Sequence, residues 1–319
     1  MNTEEILRIF KEPFEIEGNF ITFETQSNED NQGQTNKVFS EKWAKVDDGE
    51  DELSDIENFQ KDWFLSLYGF ESEDRIRAFL ADKKIILDAG CGLGYKTAWL
   101  AELAPNSIVI GMDFSQAAEF ASNRYRHINN CFFIRGDIAN TGINENSIDF
   151  VLCDQVIMHT EDPECTFQHL AGITKPGGEF GCYVYAKKAL PRELLDDYFR
   201  KATHSIPTKE LWEMSEQLTE LGKRLSELDV KFEAPDIPLL GIKGGEYDIQ
   251  RFIYWNFVKC FYHADWGRGS CDSTNFDWYS PSNAKRFSKE EFETLISDNS
   301  LTSNYFHSEE ACFSGRFGK

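Results

Sequence analysis

The sequence predicts an α/β fold with a mostly parallel sheet, helices on both faces and a mostly helical insertion. Short apolar strands alternate with helices from residue 84 to 186. A glycine-rich turn closes the first of those strands. The alternation then stops for about a hundred residues and resumes near the end of the chain.

Lys84-Ile85-Ile86-Leu87-Asp88 reads as a short buried strand, followed by a helix over Tyr95–Leu103. Ser107–Asp113 is the next strand and Ser115–Arg126 the next helix. Cys131–Arg135 and Ile148–Cys153 are strands, and Asp162–Thr174 is a helix that Pro176-Gly177-Gly178 stops. Glu179–Ala186 is again a strand. Ahead of this core, Phe14–Ile16 and Phe20–Phe23 flank Glu17-Gly18-Asn19 as a small hairpin. Gln26–Asn36 reads as a mobile loop, Asp47–Asp55 as an acidic run, and Glu57–Tyr68 as a helix with Phe59, Trp63, Phe64 and Leu67 at helical spacing. Beyond the core, helices are expected at Glu193–Ala202, Lys209–Leu228 and Tyr247–Tyr262, with a Gly- and Pro-containing loop, Pro235–Gly245, between the last two. Ser288–Ser297 is then a helix, and Ser303–His307 and Ala311–Phe317 are strands. The expected organisation is therefore 1–80 as a hairpin and helical segment with lid potential, 81–186 as core, 187–287 as a helical insertion that caps the acceptor, and 288–319 as the helix and hairpin that complete the sheet.

Composition narrows the function. With 33 Lys and Arg against 55 Asp and Glu, the formal net charge is −22. No basic block offsets it, so the chain repels phosphate backbones and nucleic acid is not an expected partner. No apolar run approaches the roughly 18 residues a membrane span needs, and Met1–Glu5 carries no signal-peptide pattern. The eight cysteines run from Cys91 to Cys312 with no C-x-x-C pair. That excludes a zinc ribbon and a disulfide framework, so no metal is expected and a reducing, cytoplasmic setting is.

The chemistry is carried by Asp88-Ala89-Gly90-Cys91-Gly92-Leu93-Gly94, which closes a strand and opens a helix. Gly90, Gly92 and Gly94 permit backbone angles closed to other residues, and the helix N-terminus offers free N–H groups. The spacing is G-x-G-x-G, not the dinucleotide G-x-G-x-x-G, and residue 95 is Tyr. Asp88 would repel a pyrophosphate but suits an ammonium. S-adenosylmethionine (SAM) carries an ammonium and no phosphate. About twenty residues on, Gly111-Met112-Asp113-Phe114-Ser115 ends the second strand, where a carboxylate can accept both ribose hydroxyls; the alternative is that Asp113 caps the helix starting near Ser115. In Arg135-Gly136-Asp137-Ile138, Asp137 can accept the adenine amino group and Ile138 can pack on the ring, or Asp137 is a turn residue. The fourth element is Asp149–Gln155, followed by Val156–Pro163.

In these four ordered motifs the chain resembles the class I SAM-dependent methyltransferases. The segments Gln155–Pro163 and Thr174–Phe180 look like the branch that acts mainly on small molecules. The resemblance implies a Rossmann-like seven-stranded sheet whose last strand enters as an antiparallel hairpin. It places Asp88 near the methionyl amine, Asp113 on the ribose with Phe114 beside it as a further cofactor contact, Asp137 and Ile138 at the adenine, Gln155 on the methionyl side, and Gly90, Cys91, Gly92 and Gly94 as the cradle. Gln34-Thr35 with Phe39 and Trp43, and Phe276–Pro281, resemble segments of the same branch, with Phe39 and Trp43 as a lid or as core. His159, following the fourth strand, is the candidate general base, or else a structural residue. Tyr247, Arg251, Tyr254, Trp255 and Lys259 are read as one helix face, core or pocket, and His263 with Asp265 as an acid/base pair or a plain loop. The Asn/Asp-Pro-Pro-aromatic signature of planar-amine methylation is absent after Cys153. The function expected is methyl transfer from SAM to a small molecule, with oxygen favoured as acceptor. A SAM-binding pseudoenzyme and an NAD-type oxidoreductase are the alternatives, and a homodimer contact is the alternative use of the insertion.

Overall fold

The computed structural model describes residues 8–23, 30–47, 60–203 and 205–319. The acidic run 48–55, residues 57–59 of the expected helix, residues 26–29 of the expected loop and the side chain of Trp43 lie outside the described set. The chain divides into two compact units, residues 1–186 with 285–319, and residues 187–284.

In the first unit the hairpin β1 (Phe14–Glu17) and β2 (Phe20–Phe23) precedes α1 (Asp30–Asp47), α2 (60–67) and α3 (Glu73–Leu80). The alternating region is β3 (Ile85–Ala89), α4 (Tyr95–Leu103), β4 (Ile108–Asp113), α5 (Ala117–Arg124), β5 (Cys131–Arg135), β6 (Ile148–Cys153), α6 (Pro163–Ile173) and β7 (Thr174–Ala186). Sheet order is β1-β2-β5-β4-β3-β6-β7-β12-β11, with the hairpin of β11 (Thr302–Ser308) and β12 (Cys312–Gly318) joined to β7 through β12, which runs antiparallel to it. The seven strands from β5 to β11 are the sheet the resemblance implies. It is extended by β2, parallel to β5, and by the two-residue β10 (Arg286–Phe287), parallel to β7. β3 is buried at every position, as a central parallel strand covered on both faces must be.

Two local readings need correction here. Residues 30–36 are not a loop: α1 begins at Asp30, and Thr35, Val38 and Lys42 are buried on one helical face. Pro176-Gly177-Gly178 does not separate a helix from a strand. It lies inside β7, where Gly177 takes φ 78° and a Cβ on Gly178 would stand 2.8 Å from the Asp149 carbonyl. The register of β6 against β7 shifts between Ile148 and Phe150 to absorb it. Farther on, Ser288 caps α11 (Lys289–Asp298) in a capping box with Glu291.

The second unit contains α7 (Leu190–Thr203), α8 (Thr208–Glu227), α9 (Ile249–Asn256) and α10 (Arg268–Tyr279), with β8 (Lys231–Ala234) antiparallel to β9 (Gly245–Asp248). The expected helix Tyr247–Tyr262 is therefore wrong at both ends. Tyr247 lies in β9 opposite Phe232, and Asp248 caps a helix that begins only at Ile249. Past Phe257 the chain is no longer helical, and Asn275 bonds both the N–H and the carbonyl of Phe261 there. Helix α10, which contains Asn275, was not expected at all. Arg251, Tyr254 and Trp255 remain on one short helix, while Lys259 lies beyond it.

Candidate active site

Four adjacent strands of the first unit end in carboxylates. Asp88 is in β3, Asp113 ends β4, Asp137 follows β5 and Asp154 follows β6. The glycine turn after β3 is tied to β4: the N–H groups of Gly90 and Cys91 both donate to the Met112 carbonyl, at 2.7 and 3.0 Å. Gly90, Gly92 and Gly94 have φ of 88°, 53° and 78°. A Cβ on Gly90 would come within 2.4 Å of Val156, so the turn and the loop after β6 pack with no space for a side chain. Cys91 is buried, and burial raises its thiol well above the ordinary range, so it packs as a hydrophobe.

Asp113 organises this turn. Its Oδ2 accepts the Gly92 N–H at 2.9 Å, and its Oδ1 accepts the N–H and hydroxyl of Ser115 at 2.9 and 2.6 Å. Asp113 thus anchors the glycine turn and the turn into α5 but does not cap that helix, whose N-cap is Gln116 without a side-chain bond, and the second lone pair of Oδ2 remains for a hydroxyl donor. Burial raises the Asp113 carboxyl, and the bonds from Ser115 and Gly92 oppose it. Phe114 is half-buried beside it. Asp137 accepts the Ala139 N–H at 2.9 Å in a local turn, and Ile138 is buried.

Asp88 is 3% exposed, and its Oδ2 accepts the Thr97 hydroxyl at 2.6 Å. Burial pushes its carboxyl from 3.8 up to about 6, against the pull of Lys96 and of Thr97. The sequence reading passed over the other half of this cluster. Asp154 is buried and accepts Lys96 Nζ, the Tyr68 hydroxyl at 2.9 Å and Gln155 Nε2 at 3.2 Å. Burial works against the Lys96 charge, but Asp154, Tyr95 and Asp88 together outweigh it and hold the ammonium above its ordinary range. Gln155 itself sits at φ 63°, a left-handed conformation uncommon outside glycine, at the mouth of β6.

His159 is in a one-turn 3₁₀ segment, Ile157–His159, and is 6% exposed. The Tyr185 hydroxyl lies 3.4 Å from its Nε2, and the rings of Tyr185 and Phe39 meet it edge-on at 5.6 and 5.1 Å. Phe39 of α1 and His159 are thus brought together. His263 and Asp265, in contrast, are on the surface 3.8 Å apart. No metal follows from the cysteine spacing; the β11–β12 turn nevertheless groups ligand atoms of His307, Glu309 and Cys312 within 4.8 Å of one another. A reading by cysteine spacing cannot find that mixed set.

A set of acceptors at four strand ends, with a glycine turn held open by one of them, fits a cationic nucleoside with free hydroxyls. It opposes a pyrophosphate. Fold and site together define a class I SAM-dependent methyltransferase core. A family model for a methyltransferase domain matches residues 80–249, more than half of the chain, and the chain belongs to that family. It is 37% identical over 113 residues to an uncharacterized methyltransferase of Schizosaccharomyces pombe, a match that spans 33% of this chain and 39% of that protein. It is 26% identical over 201 residues to a ubiquinone biosynthesis O-methyltransferase of Coxiella burnetii, covering 56% of this chain and 77% of the relative. Among solved structures, a magnesium protoporphyrin IX methyltransferase from Synechocystis PCC 6803 with bound SAM is 15% identical, over 92% of this chain and 98% of that one, at a TM-score of 0.44. The protein is an enzyme of SAM-dependent methyl transfer. Among the described residues, no helix is long and apolar enough to cross a membrane.

Proposed function

We propose that the enzyme methylates an oxygen of a small molecule and that His159 is its general base. The observation that carries this is the buried imidazole of His159, held between Tyr185 and Phe39 in the segment after β6, the strand next to the one that carries Asp88. The O-methyltransferase name of the Coxiella burnetii relative supports the same acceptor atom.

In this reading Asp88 balances the methionyl ammonium, Asp113 accepts the ribose hydroxyls, and Asp137, Ile138 and Phe114 surround the adenine. Gly90, Cys91, Gly92 and Gly94 let the main chain approach, and Gln155 takes the methionyl side. SAM, when bound, supplies a methyl group on a sulfonium, already an excellent leaving group. The chain has to align the acceptor and exclude water. Tyr185 orients the imidazole, which takes the proton of the acceptor hydroxyl as that oxygen forms its new bond. Helix α1, through Phe39, covers His159 as a lid, and the unit 187–284 recognises the acceptor.

A screen of hydroxyl-bearing small molecules with methyl-labelled SAM tests this. Transfer to oxygen is expected, with His159→Ala slower by about 10²–10⁴-fold and SAM affinity unchanged. Label found only on nitrogen, or wild-type turnover in His159→Ala, overturns the reading.

A further inference from the structure

The unit 187–284 gathers positive charge around one buried indole. Three cations surround the indole of Trp278: Lys259 Nζ is 4.4 Å from the ring centroid, Arg192 5.0 Å and Lys188 6.0 Å. Lys188 also lies 5.5 Å from the Trp255 ring. Arg192, 1% exposed, is fully engaged. Its Nε bonds Asp196 at 2.8 Å and its Nη1 bonds the Tyr254 carbonyl. Asp196 is engaged in turn, since it also accepts Trp278 Nε1 at 2.8 Å and the Tyr279 hydroxyl at 3.0 Å.

Lys259 has no such partner. It is 8% exposed, and its backbone N–H is fixed on the Tyr279 hydroxyl at 3.1 Å. Among the described residues its ammonium makes neither a hydrogen bond nor an ion pair; an indole face is its only close compensation. Burial first, and then Arg192, push the ammonium down to about 7, with Lys188 adding repulsion and Asp277 and Asp196 opposing. A buried ammonium without an anion is costly, and Met or Leu fills the same volume without that cost. The arrangement makes physical sense when an anion from outside completes it.

We propose that Lys259 and Lys188, set against Trp278 and Trp255, bind a carboxylate of the methyl acceptor, so that the substrate is a small carboxylic acid with a flat apolar body. One unbalanced ammonium, with Asp196 and Asp277 nearby, suits a monoanion better than a phosphate dianion. The indole rings supply the apolar wall. The inference rests on the small-molecule acceptor reading above.

The full-length protein should be titrated with benzoate, with its neutral isostere benzamide and with phenyl phosphate, by calorimetry. Benzoate is expected to bind at least tenfold tighter than benzamide and no weaker than phenyl phosphate. Lys259→Met should abolish the preference for benzoate, and Lys188→Met, at a half-buried position, should reduce it several-fold even if Lys259→Met does not fold. Equal affinity for benzoate and benzamide, no binding of either, tighter binding of phenyl phosphate, or a preference that survives both substitutions overturns the proposal. S-adenosylhomocysteine (SAH) titrated into the same samples should bind wild type and variants alike. Benzoate preference intact, with label transferred to no small molecule, overturns the acceptor reading while the anion site stands.

Discussion

Replacing Asp88 by Asn tests both the electrostatics of the glycine turn and the cofactor assignment. The carboxyl is buried and titrates at about 6 instead of 3.8. Between those values the native chain holds a proton that the unfolded chain has lost. Stability therefore falls as pH rises through this window and is flat above it. A shift of about two units is worth about 3 kcal/mol. Asn keeps an acceptor for the Thr97 hydroxyl and removes the buried charge, so at pH 7 the variant should gain up to about 3 kcal/mol, less whatever Lys96 loses by its removal. At pH 4 the two proteins should be nearly equal. Binding follows the opposite trend, because an ammonium ligand favours the ionised carboxyl. At pH 5 about one Asp88 in eleven is ionised and at pH 7 about ten in eleven, so SAH affinity should rise about tenfold between them. Asp113 is also raised by burial and titrates in the same sense; the Asn variant separates the two, because it should lose the Asp88 part of the slope. Calorimetric titration with SAH and urea unfolding at both pH values measure these effects. A wild-type affinity independent of pH, or a slope unchanged in Asp88→Asn, refutes the ammonium assignment.

Three further outcomes are expected. Lys96→Met leaves Asp154 buried without its cation and should cost about 3–5 kcal/mol of stability, most of it recovered by adding Asp154→Asn; urea unfolding of the single and double variants checks this. Gly94→Ala puts a Cβ at φ 78°, 2.6 Å from Phe133 and 2.7 Å from the Ala121 methyl, and should lower stability by about 1–3 kcal/mol and weaken SAH binding; a thermal melt with and without SAH reads both. Asp113→Ala removes the acceptor for the Gly92 N–H and for Ser115 and should weaken SAH binding by about 1–3 kcal/mol, with unchanged calorimetric affinity counting against the ribose assignment.

What could be read in advance follows from where the information resides. The strands from Ile85 to Cys153 are short apolar runs because they are buried on both faces, and the glycine turn declares its own backbone angles. Those signals are local. Helix α10 gives no comparable signal: Arg-Gly-Ser-Cys-Asp-Ser-Thr-Asn is polar and a poor helix former. Its place is set by tertiary bonds, Asn275 to Phe261 and Trp278 and Tyr279 to Asp196, from residues up to 83 positions away. Tyr247 misled for the same reason, since its strand partner Phe232 is brought to it only by folding. The carboxylates of the site could be picked out singly, but their environment could not. Asp154 meets Lys96 and Tyr68 across separations of 58 and 86 residues, and it is this meeting that places a cation beside Asp88. A motif shows which groups stand at the strand ends. Which of them carry charge at neutral pH is decided by burial and by residues outside the motif, so that part of the mechanism had to come from the structure.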